Sequence, residues 1–242
     1  MHNYCKTIGA LAAVSALVAG NAMAEVEYEL HTGYSNEYLF RGLNLGQDLV
    51  EVGADVKGEA YGLGLSAGVW YGDVSNLAIG GANNVRGNEL DLYGAVSKDF
   101  GFATASVGYI ARQYDMNGAF DADSRQEVYF SLSRQFYGID TSLTYYWDVE
   151  TDNDGYSELA MNKGWELSPC LNLNTGGNLG YLCEQGQLTA LTLKVSLDWG
   201  FAGTAKLSPF VMASFAMSDD IDTSYWGSKD QVVGGVMLSV GF

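Results

Sequence analysis

Apolar and polar side chains alternate at every second position through most of this chain. In residues 26–34, for example, the even positions are mainly apolar and include Tyr28 and Leu30, whereas the odd positions are polar and include Glu29. Side chains two residues apart lie on the same face of a β-strand, so this pattern predicts strands with one apolar and one polar face. Twelve such segments follow one another, and no helical pattern competes with them after residue 24.

The lengths of these segments and of their connections indicate a membrane barrel. The segments have about nine to eleven residues, the length of a tilted strand that crosses a bilayer. The short connections contain Lys57-Gly58, 99–101, Tyr137-Gly138, Ser168-Pro169 and 200–204, and the longer ones contain 73–87, 114–124, 149–155 and 217–230, with 42–47 and 183–187 as shorter members of the second set. Short periplasmic turns and longer outer loops are typical of outer-membrane barrels. We therefore predict an all-β fold, a transmembrane antiparallel up-and-down β-barrel of about twelve strands formed by residues 25–242.

A soluble β-sandwich or a lipocalin-like barrel would show the same alternation, with its apolar face turned inward. Two features favour the membrane form. The polar face is rich in Gly, Ser, Asn and carboxylates and poor in lysine, which is unusual for a surface in water. Tyr and Trp also lie at the strand ends of the apolar face, as in membrane interfaces where the ring is buried and its polar tip is wet. The predicted aromatic girdle consists of Tyr71, Tyr109, Tyr145, Trp147, Tyr181 and Trp199.

Residues 1–24 have the three parts of a secretory signal peptide. Lys6 is the positive start, residues 8–20 form a short apolar run, and Ala22-Met23-Ala24 is an A-x-A cleavage site. An uncleaved anchor is the alternative, although the apolar run is short for a membrane-spanning helix. Together with the barrel pattern, a cleaved leader predicts location in the outer membrane of a Gram-negative-type bacterium.

The charge balance bears on partners. The 242 residues include 29 acidic and 12 basic side chains, and the predicted cleavage would move the net charge from −17 to −18 because Lys6 is the only charged residue removed. Nucleic-acid binding needs clustered Lys and Arg, so we expect no nucleic-acid partner. The expected partners are outer-membrane lipid, lipopolysaccharide and small solutes.

Residues 34–42 carry a short motif. The segment resembles the S-x-x-Y-x-F-R-G stretch near the start of the TorF-type porin family. The matching residues are Ser35, Tyr38, Phe40, Arg41 and Gly42, and Asn36 stands where Asp is common. The resemblance implies an outer-membrane barrel and a pore, and it brings no established substrate or catalytic residues.

The last predicted strand has apolar residues at every second position and ends at Phe242. A terminal aromatic strand of this kind resembles the signal by which outer-membrane barrels are handed to their assembly machinery. We therefore expect the barrel assembly machinery to be a partner through this strand.

We expect no enzymatic activity and no cofactor. Residues 64–68 match the G-x-S-x-G string of serine hydrolases, but they lie inside an alternating strand, whereas the motif needs a strand-to-helix turn. The alternative is a lipid hydrolase of the Ser/His type. Its histidine would be His31, the one histidine left after leader cleavage, which lies on the polar face.

We also expect no metal site. Residues 150–155 resemble half of an EF-hand loop, but Met161 stands where that loop needs Glu. A further acidic connection contains Asp219, Asp220 and Asp222. Solvated loop charge is the main interpretation, and divalent-cation bridging to lipopolysaccharide is the alternative.

Two details of the pattern leave alternatives open. If 171–182 is a strand, Cys170 and Cys183 are about 40 Å apart, too far for a disulfide, which needs Cα atoms within about 7 Å. We predict free thiols, whereas a disulfide would mean ten strands. Lys163 falls on the apolar face, where a cation is costly, and a preceding bulge or snorkelling would remove the conflict.

Charged residues on the polar face are candidates for lining or constricting a lumen. They are Arg41, Glu51, Asp55, Glu89, Asp91, Arg112, Glu127 and Lys194. We expect Arg41 to face Glu51 or Asp55, either as a structural pair or as one wall of a constriction. The surplus of carboxylates predicts a passive channel for small cationic or neutral hydrophilic solutes. A closed structural or adhesive barrel is the alternative, because twelve strands lie between filled barrels and open porins.

Overall fold

The computed structural model describes residues 26–77, 85–115, 124–150, 154–218 and 229–242, which form one closed antiparallel barrel. The strands of this described part are β1 Glu27–Phe40, β2 Leu43–Ala60, β3 Leu63–Leu77, β4 Val85–Asp99, β5 Thr104–Asp115, β6 Arg125–Phe136, β7 Ile139–Asp148, β8 Tyr156–Ser168, β9 Leu171–Leu182, β10 Gln187–Ala202, β11 Ala205–Ala216 and β12 Gln231–Gly241. Each strand pairs with its sequence neighbours, and β1 closes the ring with β12. The predicted all-β barrel of twelve strands is confirmed.

The seam between the first and last strands is regular. β1 and β12 pair without a register shift from Glu29 opposite Gly241 to Ser35 opposite Gly235. Beyond this ladder, the Phe242 N–H donates to the Tyr28 carbonyl at 2.9 Å, and the Tyr28 N–H donates back at 3.3 Å. Closure removes the open sheet edge that would otherwise need water or another chain to satisfy its backbone groups.

Strand β9 decides between ten and twelve strands. It pairs with β8 on one side and β10 on the other. Cys170 and Cys183 lie just beyond its two ends, and both are free. The prediction of free thiols is confirmed, and the ten-strand alternative is wrong.

Two turn positions differ from the predicted ones. β2 continues through Lys57-Gly58 to a turn at Tyr61-Gly62. Residues 43–47 are strand, because the chain already reverses at Arg41-Gly42. Both central residues of each turn have positive φ. The φ angles are 55° at Tyr61 and 69° at Gly62, and 52° at Arg41 and 84° at Gly42. This is the conformation of two-residue hairpin turns, in which Gly is favoured. The alternation runs on through such tight turns and therefore does not mark them.

The turns that follow β2, β4, β6, β8 and β10 lie at one end of the barrel, here called the short-turn end, together with Glu27 and Phe242. The β1–β2 and β9–β10 turns, and the described ends of the remaining strands, lie at the opposite end. This arrangement agrees with the predicted alternation of short and long connections, apart from the β1–β2 turn.

The faces of the wall are inverted relative to those of a water-soluble protein. Leu30, Leu132 and Val211 are 51%, 57% and 54% exposed, whereas Glu89 and Arg112 are 1% and 5% exposed. The apolar face of the alternation thus points away from the barrel axis, and the polar face points into the lumen. A soluble barrel would have the opposite arrangement.

Aromatic residues follow the outer face. The predicted girdle residues that are exposed there are Tyr109, Trp147, Tyr181 and Trp199, and those that are half-buried are Tyr71 and Tyr145. Lys163 also lies on this face, and the pairing of β8 with β9 is regular from Tyr156 to Glu166, so the bulge considered for Lys163 is wrong. Its Nζ lies 4.3 Å from the ring centroid of Trp165, which is nearer the short-turn end.

Some predictions concern residues that the structure does not describe. They are the leader 1–24, Asp152 of the calcium-like segment, and the acidic residues Asp219, Asp220 and Asp222. Within the described ranges, no helix is long and apolar enough to cross a membrane.

Both cysteines are expected to react with an alkylating reagent without prior reduction, because strand β9 separates them. Mass spectrometry of protein denatured in iodoacetamide under non-reducing conditions should find Cys170 and Cys183 both alkylated. A parallel digest after reduction is the control. A peptide pair joined through these two sulfurs would contradict the assignment of β9.

Candidate functional site: a constriction inside the barrel

The turn between β1 and β2 folds into the lumen instead of extending the wall. β1 pairs with β12 only as far as Ser35, and β2 pairs with β3 only from Gln47 onward, yet β1 and β2 continue to pair with each other up to their turn. Residues 36–47 therefore form a two-stranded ribbon, here called the constriction hairpin. A register shift between Tyr38 and Leu39 supplies the local bend.

The tip of the constriction hairpin reaches the opposite wall. Arg41 Nη1 and Nη2 donate to the two carboxylate oxygens of Glu127, on β6, at 2.6 and 2.8 Å. Gly42 lies against Ala190 of β10, and a Cβ at position 42 would come within 2.3 Å of the Ala190 Cβ. Gln231 Nε2, on β12, donates to the Gly42 carbonyl at 3.2 Å. These contacts place the tip across the lumen.

Glu127 is shared by two arginines. Its Oε2 also accepts a hydrogen bond from Arg112 Nη1 at 2.7 Å. The side chains of Arg41, Glu127 and Arg112 are 6–9% exposed, and charge-assisted hydrogen bonds are strong where water has so little access. The rings of Tyr146 and Tyr156 enclose Arg41, with centroids 4.4 and 4.5 Å from its Cζ. Cation–π attraction therefore adds to the ion pair.

Two carboxylates of β4 continue the network. Asp91 Oδ2 lies 3.4 Å from Arg112 Nε, and Glu89, two residues away on the same face, is 1% exposed. Neither oxygen of Glu89 has a partner of good hydrogen-bond geometry among the described residues, and its polar neighbours include Asp91 and Tyr38. Arg112 supplies the positive charge that offsets the desolvation of this acidic pair.

An apolar cluster anchors the constriction hairpin to the nearer wall. Its buried members are Tyr38, Leu49, Val74, Leu77 and Tyr114. The Tyr38 ring also packs against Trp70, with 5.8 Å between ring centroids. Burial of one large apolar side chain contributes about 1.5–3 kcal/mol. The hairpin is thus held by packing near its base and by charge at its tip.

The structure brings together five of the predicted lumen residues and separates the others. The five are Arg41, Glu89, Asp91, Arg112 and Glu127. The predicted pairing of Arg41 with Glu51 or Asp55 is wrong, because the Arg41-Gly42 turn carries the guanidinium to the opposite wall. Glu51 instead accepts from Trp70 Nε1 at 2.5 Å, and Asp55 accepts from the Tyr93 hydroxyl at 2.7 Å.

Sequence reasoning missed the aromatic side chains that shape this site. Tyr146 and Tyr156 enclose Arg41, and Tyr38 and Phe40 pack the constriction hairpin in place. The motif in residues 34–42 contains two of these four rings. For Tyr146 and Tyr156 the sequence signal was a large aromatic residue on an otherwise polar strand face.

A separate group of lumen side chains lies nearer the short-turn end. Glu29 and Asp55 are directly opposite each other on β1 and β2, and His31 Nδ1 lies 3.3 Å from Asp55 Oδ2. One potential ligand atom from each of these three residues lies within 4.8 Å of the others, a spacing that could hold a divalent metal ion. Gly53, opposite His31, leaves room for the imidazole ring.

The lumen stays open beside the constriction hairpin. Cavities of about 350 and about 290 Å³ lie there, and both are lined by Leu39, Lys194 and Met212. Lys194, the remaining predicted lumen residue, is next to this open space and belongs to none of the ion pairs among the described residues, although Arg41 and Asp91 each line one of the same cavities.

Comparison with known proteins gives a family and a fold. A family model described as "Bacterial protein of unknown function (Gcw_chp)" matches residues 19–232. The COG4313 outer membrane channel from Pseudomonas putida F1 is similar in structure, with a TM-score of 0.55, 11% identity and coverage of 92% of this chain and 98% of that one. The KdgM porin is similar with a TM-score of 0.52, 13% identity and coverage of 89% and 99%. No curated protein matches the chain.

Replacement of Arg41 by Ala is expected to destabilise the barrel, because it leaves Glu127 with one arginine instead of two. Removing one partner of a buried ion pair costs about 3–5 kcal/mol, and Arg112 should keep the loss near the lower end of that range. Urea unfolding in lipid vesicles, followed by tryptophan fluorescence, measures the free energy of unfolding.

Arg134→Ala is the matched control for this change. Arg134 is exposed, with its Cζ 4.6 Å from the Phe136 ring centroid, so its loss should cost less than about 1 kcal/mol. Arg41→Lys should fall in between, because lysine keeps the charge but not the two-pronged donor. Equal stability of the Arg41→Ala and Arg134→Ala proteins would show that the Arg41–Glu127 pair does not hold the tip.

Proposed function

We propose that this chain, which belongs to the Gcw_chp family of bacterial proteins of unknown function, is an outer-membrane channel for passive diffusion of small hydrophilic solutes. The observation that carries the proposal is a closed barrel with an apolar outer face and a polar, partly open lumen. The TorF-type resemblance of residues 34–42 points in the same direction.

The outer face supports a membrane location. Apolar side chains are exposed all around the wall, including Leu30 on β1, Leu132 on β6 and Val211 on β11. A continuous apolar belt of this kind is unfavourable in water and favourable against lipid. The strands are also long enough for a tilted crossing of the hydrocarbon core. We place the barrel in the outer membrane, because closed barrels of this type belong there.

The lumen supports a channel over a filled structural barrel. The cavities beside the constriction hairpin show that its packing leaves space. The two similar structures of the same fold are named as an outer membrane channel and a porin, which is compatible with this proposal. The constriction hairpin would limit passage to small solutes.

Cation preference is the expected selectivity. The lumen residues of the predicted set include five carboxylates and three cations, and two of those cations are engaged by Glu127. Acidic groups along a narrow pore raise the local concentration of cations and repel anions. Neutral hydrophilic solutes would pass without this bias.

Reconstitution into a planar bilayer tests both parts of the proposal. We expect discrete conductance steps and, in a potassium chloride gradient, a reversal potential that shows potassium to be more permeant than chloride. Bilayers exposed to the same detergent without protein are the control. Silent bilayers with folded, inserted protein would favour the structural or adhesive barrel, and preference for chloride would refute the cation selectivity.

We also propose that the chain is not an enzyme. Ser66, in the hydrolase-like string, lies within strand β3 opposite Lys57 and Ala95, not at a strand-to-helix turn. His31 pairs with Asp55, but a nucleophile must also lie within hydrogen-bond reach of the histidine. Incubation of the purified protein with phospholipid vesicles and calcium should release no fatty acid. Release that disappears in His31→Ala would overturn this proposal.

The remaining partners follow from the location. Lipopolysaccharide and phospholipid would contact the outer face, with Tyr71, Tyr109 and Trp199 among the side chains at the interface. The barrel assembly machinery would engage β12 and Phe242, which completes the seam with β1.

A further inference from the structure

The constriction hairpin divides the lumen into a sealed part and an open part. On the side of β5–β8, the space around Arg41, Arg112, Glu127, Tyr146 and Tyr156 amounts to about 30 Å³. The two cavities on the other side of the hairpin are each roughly ten times larger by the same measure. The charged network therefore leaves no route for a solute through this part of the constriction.

The open part comprises the cavity of about 290 Å³ along β8–β11 and the cavity of about 350 Å³, which Glu37, Glu51 and Asp91 line. Among the described residues, the β8–β11 wall of the smaller cavity carries one carboxylate, Glu158, which accepts from Asn178 Nδ2 at 2.6 Å. Its other side chains are mostly small or uncharged and polar, among them Asn162, Gly176 and Thr192. Gly176, opposite Asn162 and Lys194, leaves room on the lumen face of β9. The amides of the asparagines can replace some of the hydrogen bonds that a solute loses when it sheds water. This wall is suited to the passage of hydrated or hydroxyl-bearing solutes.

Of the two cations that line this open part, Arg41 is held by Glu127, and the other is Lys194. It lies on β10 opposite Gly176 of β9 and Met212 of β11, and it lines both of the larger cavities. Its side chain is exposed, and its Nζ lies 4.6 Å from the Phe210 ring centroid. None of the ion pairs among the described residues includes Lys194.

We infer that solutes pass the constriction hairpin along the β8–β11 wall and that Lys194 is the specificity-determining residue of this route, an inference that rests on the proposed channel function. The ammonium group meets a passing solute directly, whereas Arg41 and Arg112 are occupied by Glu127. Lys194 therefore weakens the cation preference set by the lumen carboxylates. It also gives carboxylate- or phosphate-bearing small solutes a place to interact within the passage.

Charge reversal at Lys194 tests the route. In a potassium chloride gradient across a planar bilayer, Lys194→Glu should raise the permeability ratio of potassium to chloride by roughly threefold to tenfold, because the reversed charge acts on ions only a few ångströms away. Lys194→Gln removes the charge without reversing it, so the logarithm of the permeability ratio should change by about half as much. Each variant is run in gel electrophoresis with and without heating. Slower migration of the heated sample than of the unheated one would show that the variant was a folded barrel before heating.

Lys206→Glu is the matched control, since it makes the same charge change on the neighbouring strand β11. Lys206 lies at the short-turn end, is 42% exposed in its side chain and is 3.6 Å from Asp198. At this exposed and better screened position, reversal should change the permeability ratio by less than about twofold. Equal effects of the two reversals would overturn the assignment of Lys194.

Cysteine substitution followed by thiol modification locates the passage independently. In a Cys170→Ser/Cys183→Ser background, Lys194→Cys should react with a sulfonate-bearing methanethiosulfonate reagent, and the reaction should reduce conductance while the channel is open. Tyr146→Cys, in the sealed part, should react at least about tenfold more slowly, because its side chain is enclosed with Arg41. Faster reaction at position 146 would place the route on the other side. Absence of wild-type conductance, in contrast, would refute the channel function itself.

Discussion

The interior of this barrel depends on one carboxylate that two arginines share. Glu127 takes the guanidinium of Arg41 from the constriction hairpin and that of Arg112 from the adjacent strand. Without it, two cations would lie close together in a space with little water, where their repulsion is weakly screened. With it, the two-pronged geometry fixes the orientation of Arg41 and hence the turn that carries it. Where the tip lies in the lumen, and how wide a space it leaves, follow from this arrangement.

The wall could be predicted from the sequence because the pattern that specifies each strand lies within that strand. Leu30 and Glu29 reveal their opposite faces within a few residues, and the same reasoning applies to each strand in turn. Tight turns are harder to locate, because Tyr61-Gly62 interrupts neither the alternation nor the polarity of its neighbours. Cys170 and Cys183 show the opposite case, since the length of the strand between them was enough to predict that they do not form a disulfide.

The constriction could not be predicted in the same way. Arg41 and Glu127 are 86 residues apart in sequence, and whether they meet depends on the diameter of the closed barrel and on a bend at Tyr38. Nothing in either strand alone favours Glu127 over Glu51 as the partner. The motif in residues 34–42 marked the right segment, but the physical role of its rings appears only once the opposite wall is in place.

The range of sequence separations has a consequence for how the chain folds. Most wall contacts join strands that are neighbours in sequence, whereas the tip contacts of Arg41 and Gly42 span 86 and 189 residues. Contacts between distant residues require the ordering of more chain and form more slowly. The wall hairpins therefore form at an earlier stage than the tip contacts and the β1–β12 seam, whose partners are 200–212 residues apart. A barrel that closes its seam before the tip is placed is one late intermediate that this order allows. Until the tip reaches Glu127, such an intermediate would have its widest lumen.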